Sequence, residues 1–226
     1  MKRGMMRFGM SLAAALVMTC AVGAARAAAV NGFTETFSGS GTANWSGGSI
    51  HSNPGTGGVG GAGDGYLQLS NAFAGNFGTQ NSGENYTGDW SAAGINQVSF
   101  YLRDVGADQP FAFHFLLTQG GSFGTTWQYI TSIDPPTGQW QQYTVDLTSE
   151  ANWTRVRGSD SLAAVLQSVS FAHFRHDLEP YFSNPDPIAG DIGIDSIRLG
   201  AVPEPTSLAA CVALLSLPAL RPRRRR

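Results

Sequence analysis

One stretch limits the possible folds more than any other. From 110 to 118 the chain reads P-F-A-F-H-F-L-L-T, with Phe111, Phe113, Phe115 and Leu117 at every second position. Side chains of a strand alternate between two faces, so this spacing makes one apolar face and one mixed face. A helix would scatter the same four residues around its circumference. The period recurs at 97–105, where Val98, Phe100 and Leu102 alternate with Ser99, Tyr101 and Arg103. It recurs again at 139–147, with Tyr143, Val145 and Leu147 inward, and at 191–199. Shorter strands are expected at 32–37, 49–52, 66–69, 125–133 and 169–175.

The connections are of the kind that separates strands. Nine glycines fall within 46–65, and 134–138 is the turn sequence D-P-P-T-G. The glycine run lacks the preceding strand, following helix and lysine of a phosphate loop, so that reading is rejected. Residues 71–90 read as loop, and 104–109 as a hairpin connection between the strands on either side. Residues 161–167 are expected to form a helical turn capped by Asp160 or Ser159. Nine or ten short strands with one helical turn predict an all-β fold, a single antiparallel β-sandwich of jelly-roll type, in one domain over 28–202.

Both ends of the chain have a different character. Lys2, Arg3 and Arg7 precede an apolar, small-residue stretch, and Ala25-Arg26-Ala27 fits the small-x-small rule. Residues 1–27 therefore read as a secretory signal peptide, a signal helix cleaved after Ala27. At the other end come Pro203-Glu204-Pro205, an apolar run over 207–220, and arginines at 221 and 223–226. The run makes a helix of about 21 Å, short of a hydrocarbon core of about 30 Å. It suits a transient membrane contact as a short C-terminal hydrophobic helix.

These tail residues resemble the PEP-CTERM sorting signal, which occupies 203–226 here. The resemblance implies signal peptidase and an exosortase-type transpeptidase as partners. It also implies export across the inner membrane and transfer to the cell envelope, cell surface or extracellular matrix. A plain membrane anchor that is never cut is the alternative.

Removing both ends changes the charge balance. Of 14 basic residues, nine lie in the end segments and five arginines remain, while 15 of the 16 acidic residues remain. The domain is thus close to −10, a surface that repels nucleic acid and suits cations. Cys20 and Cys211 both lie in the end segments, so the domain has no disulfide and no cysteine-based zinc site.

Three short motifs sit in order along the domain. They are Glu35, Phe37 and Trp45; then W-x-x-Y-x-V-D-L from Trp140 to Leu147; then I-D-x-I-R-L from Ile194 to Leu199. Together they resemble extracellular carbohydrate-binding and laminin-G-like jelly rolls. The resemblance implies a structural Ca²⁺ tying the first strand to the last, with Glu35 and Asp195 at the matching positions. Backbone carbonyls would be needed to complete six to eight oxygens.

Trp127 and Tyr129 share one strand face beside Gln128 and are candidates for stacking on extracellular polysaccharide; the opposing reading is core. His173 and His176 fall on opposite strand faces and do not converge. No His-Glu-x-x-His or Cys–His arrangement is present, so a non-catalytic, glycan-binding envelope protein is expected. A secreted carbohydrate-active enzyme is the alternative, since 15 acids always offer some carboxylate pair.

Overall fold

The computed structural model describes residues 28–106 and 109–201. The expected signal peptide at 1–27 and sorting tail at 203–226 lie outside the described residues. The described chain is an all-β sandwich of two antiparallel sheets. Its strands are β1 (Thr34–Glu35), β2 (Ile50–Ser52), β3 (Leu67–Asn76), β4 (Gly78–Asn81), β5 (Gln97–Asp104) and β6 (Phe113–Gln119). They continue with β7 (Thr126–Tyr129), β8 (Gln141–Asp146), β9 (Trp153–Arg157), β10 (Val169–His176) and β11 (Pro187–Gly200). The first sheet runs β2-β3-β11-β5-β8, with β1 also paired to β11; the second runs β4-β10-β6-β7-β9.

The alternating runs drive this arrangement. Val98, Phe100 and Leu102 of β5 and Phe113, Phe115 and Leu117 of β6 are buried on facing sheets. The 104–109 segment is therefore not a hairpin connection, because the two apolar faces meet across the sandwich instead of lying side by side in one sheet. Phe174 of β10 sits at the centre. Its ring stacks on Phe113 at 5.8 Å and meets Phe100 edge-on at 4.8 Å, so it joins the two sheets.

The polar stretch 71–90 is more ordered than its composition suggests. β3 continues to Asn76, with Asn76 and Gly75 paired to Pro187 and Ile188. Backbone ladders need no apolar side chains, so the sequence period gives no sign of this. The chain then turns at the buried Phe77 and passes into the second sheet as β4. The one α-helix among the described residues, α1 (Leu162–Leu166), is capped by Ser161, whose Oγ accepts from the Ala164 amide, and not by Asp160 or Ser159. Asp160 instead accepts from the Thr125 hydroxyl.

Strand β11 carries a bulge at Ser196, which has φ 49°. The extra residue keeps Ile194 and Ile197 both in the core while Asp195, between them, leaves that face.

Candidate functional site

The outer face of the second sheet is a groove of about 320 Å³. Register puts His173 of β10 beside Gln80 of β4 and Leu116 of β6, and Arg175 beside Gly78 and His114. Thr118 and Thr126 face each other on β6 and β7. Part of the floor is bare backbone. A Cβ on Gly78 would lie 2.6 Å from the Phe174 carbonyl, and one on Gly48, at φ +84°, would lie 2.5 Å from the Gly78 carbonyl. Ser122 and Phe123 form one wall, and Ser183, Asn184 and Pro185 form another.

Phe123 stands in this wall with 88% of its surface exposed. The Arg157 guanidinium lies 5.5 Å from its ring centre and donates from Nη1 to the Ser122 carbonyl at 3.0 Å. This pairs a flat apolar plate with a cation at the groove rim.

Arg175 builds the opposite wall. Its Nη1 donates to the Ser183 carbonyl at 3.0 Å and its Nη2 to the Phe182 carbonyl at 2.7 Å. The same guanidinium donates to the Gln128 side-chain oxygen and meets the Asp177 carboxylate in an ion pair. Burial pulls the Arg175 pKa down and Asp177 pushes it up, and a guanidinium keeps its charge under such opposition.

His173 contacts the Thr118 hydroxyl through Nε2 at 2.9 Å, and Thr118 contacts Thr126 at 2.9 Å. Crowding by the protein, with the Arg175 charge acting the same way, depresses the His173 pKa to about 3. The groove thus presents a neutral imidazole with hydroxyls and amides. Its described lining carries no aspartate or glutamate.

Trp127 and Tyr129 are placed elsewhere. Trp127 is 7% exposed within the core, opposite Leu117, and its indole donates to the Asp160 carbonyl at 3.0 Å. Tyr129 packs edge-on against Trp153 at 5.4 Å. Both lie on the inner face of β7, while its outer face carries Thr126, which lines the groove, and the buried Gln128, which holds Arg175. Aromatic side chains are drawn inward because each removes a large apolar area from water. Trp45, Trp90 and Trp153 are also buried. Trp140 packs against Tyr66 beneath Arg103 and donates to the Gly57 carbonyl. The exposed aromatic residue of the groove is Phe123, in a loop of glycines and serine with no periodic signal.

A second polar centre lies where the first strand meets the last. β1 pairs with β11, placing Glu35 opposite Ile197. Asp195 is 0% exposed, covered by the glycine-rich loop, and accepts from the Val59 amide at 2.7 Å and the Ser196 amide at 2.6 Å. Burial pushes its pKa up to about 6, with Asp64 and Glu35 adding repulsion.

Gly58 is required here. A Cβ on it would lie 2.5 Å from the Gly65 carbonyl, 2.6 Å from Asp64 Oδ2 and 2.8 Å from Asp195 Oδ2. Two left-handed non-glycine residues flank the centre. The Phe37 amide (φ 50°) donates to Glu35 and the Ser196 amide (φ 49°) to Asp195, and strain of this kind gathers at ligand clamps. The oxygens suit a hard cation such as Ca²⁺. Among the described residues no three His, Cys, Asp or Glu side chains are grouped to hold a metal ion. Carbonyl oxygens would therefore have to complete the set.

Comparison with known proteins places the architecture. No family model matches the sequence, and no curated protein matches it. Among solved structures, the chain is similar to the family 11 carbohydrate-binding module from Clostridium thermocellum in complex with a β-1,3-1,4-mixed-linked tetrasaccharide. There it has 19% identity and a TM-score of 0.50, covering 78% of this chain and 100% of that one. The solution structure of the same kind of module gives 21% identity and a TM-score of 0.51, covering 79% and 99%. An exo-β-agarase gives 18% identity and a TM-score of 0.54 over 77% of this chain. The match spans only 25% of the agarase chain. The fold is thus the jelly roll of carbohydrate-binding modules. Among the described residues, no helix is long and apolar enough to cross a membrane; the 207–220 segment lies outside them.

Proposed function

We propose that this domain binds a polysaccharide without cleaving it, and that the groove on the second sheet is its binding surface. The observation that carries this reading is the exposed Phe123 plate beside Gln80, His173 and Asn184 in an open groove. An aromatic face covers the C–H face of a sugar ring, and nearby amides and imidazole read its hydroxyls. Glycoside cleavage uses two carboxylates about 5–9 Å apart, and the described groove lining carries none. The likeness to carbohydrate-binding modules supports the same reading through architecture alone.

The enzymatic alternative draws on the agarase likeness, which covers only a quarter of that enzyme. Release of reducing ends from any bound polymer would establish it. The binding reading is tested on a panel of immobilised polysaccharides with the purified protein. Phe123→Ala is expected to weaken retention about tenfold, matching the roughly 1–3 kcal/mol that aromatic stacking contributes in other stacked ligands. Its near-ultraviolet spectrum is expected to stay native, because the ring is largely in solvent. Unchanged retention would remove the groove from the account.

We further propose that the chain is exported and sorted through 203–226, with Pro203, Glu204 and Pro205 as the sorting motif. Ca²⁺ held by Asp195 and Glu35, with carbonyl oxygens completing its shell, would tie the first strand to the last. Intact mass measurement of the mature protein from its own host reports both termini. Retention of Arg221–Arg226 would defeat the sorting proposal.

A further inference from the structure

We infer that the polymer taken by this groove is acidic, its sugars bearing a carboxylate or a sulfate ester. This rests on the glycan-binding reading and adds a ligand class to it. Residues 28–202 hold 15 acidic side chains against five arginines. At that density the 18 residues that line this groove would include one or two carboxylates. Instead, Arg157 and Arg175 line this one and none of its described lining residues is acidic. The charges are segregated.

The two arginines have different work. The charge of Arg175 is met by Asp177, and its nitrogens are spent on Gln128 and on the Phe182 and Ser183 carbonyls. Arg157 has no ion pair among the described residues, and only its Nη1 is engaged, on the Ser122 carbonyl. A guanidinium has five N–H donors in a planar fork that matches the paired oxygens of a carboxylate or sulfate. One face of that fork sits by Phe123. A sugar lying on Phe123 would bring its anionic substituent to the free donors of Arg157.

The rest of the domain argues for the same placement. A surface near −10 repels a polyanion at long range, so capture needs a local cation in a cleft that excludes acids. A neutral glucan gains little from a guanidinium beside the stacking plate. Neutral hydroxyls can be read by Gln80, Asn184 and His173 alone.

The test pairs polymers that differ only in charge. Affinity electrophoresis and calorimetry of the purified protein would compare de-esterified with fully methyl-esterified polygalacturonate, and a sulfated galactan with its desulfated form. We expect the charged member of at least one pair to bind about tenfold or more tightly than its neutral partner, the scale of one charge-assisted hydrogen bond. Preference confined to the first pair identifies a carboxylate ligand, and preference confined to the second a sulfate. Arg157→Gln should erase the preference, so that the charged and neutral members of a pair bind alike, and Arg157→Lys should retain part of it. Circular dichroism checks that each variant is folded.

Equal or tighter binding to the neutral members would overturn the acidic-ligand inference and leave the glycan reading intact. A preference that survives in Arg157→Gln would overturn the assignment of the anionic group to Arg157. Failure of the folded wild type to bind any of the four polymers, or others on the panel, would overturn both.

Discussion

Arg175 and Asp177, two residues apart, form an ion pair of 2.5 Å with side-chain exposures of 9% and 0%. The strand β10 ends between them, so the carboxylate turns back on the guanidinium that holds the groove wall. Asp177→Ala would leave that guanidinium buried without a counter-charge. The expected loss of stability is about 3–5 kcal/mol, the usual consequence of breaking one side of a buried pair. Urea unfolding measures it. A loss below about 1 kcal/mol, the range of solvated surface pairs, would show that water reaches the pair.

His173 makes the fold sensitive to acid. Its pKa is about 3 in the folded chain against about 6.5 when unfolded. The unfolded state therefore binds the proton more readily below pH 6.5. The contribution is fully present above that pH and is lost as pH falls toward 3. Between pH 7.5 and 4.5 this amounts to about 2 kcal/mol once partial contact with groove water is allowed for. Asp195, raised to about 6, slopes the opposite way over pH 4–6, so the difference between proteins is the reliable reading. His173→Gln is expected to remove most of the His173 slope in parallel pH–denaturation series. Superimposable curves would rule out the neutral-imidazole assignment.

Calcium gives a third expectation. Millimolar Ca²⁺ at about 100 times its dissociation constant would stabilise the chain by about 2.7 kcal/mol and raise its melting midpoint by roughly 5–10 °C over a chelator-treated sample. Asp195→Asn should abolish the difference. An unchanged wild-type midpoint would remove the ion from the description of this centre.

Period-two spacing made the sandwich legible at Phe111–Leu117 and Val98–Leu102, because these residues obey one rule and bury one face. The pairing of the terminal strands was legible from Glu35 and Asp195 only through family likeness. The groove was not. Phe123 lies between Ser122 and Gly124 in a loop without periodicity, and its importance comes from standing unburied. Trp127 shows the reverse: a side chain attractive as a ligand plate is more strongly drawn to the core, and composition alone does not choose between these outcomes. β5 and β6 share a further limit, since alternation reports which face is apolar and not which sheet the strand joins.

The last strand also governs how the domain bears load. β11 runs 14 residues, laddered to β3 from Pro187 to Ile194 and to β5 from Ile192 to Gly200. A pull on the chain where it leaves Gly200 is directed along this strand. It strains both ladders lengthwise at once, in shear, and does not part their hydrogen bonds one after another. A domain held by its C-terminal end while its groove grips a polymer would thus transmit tension through its most heavily bonded strand.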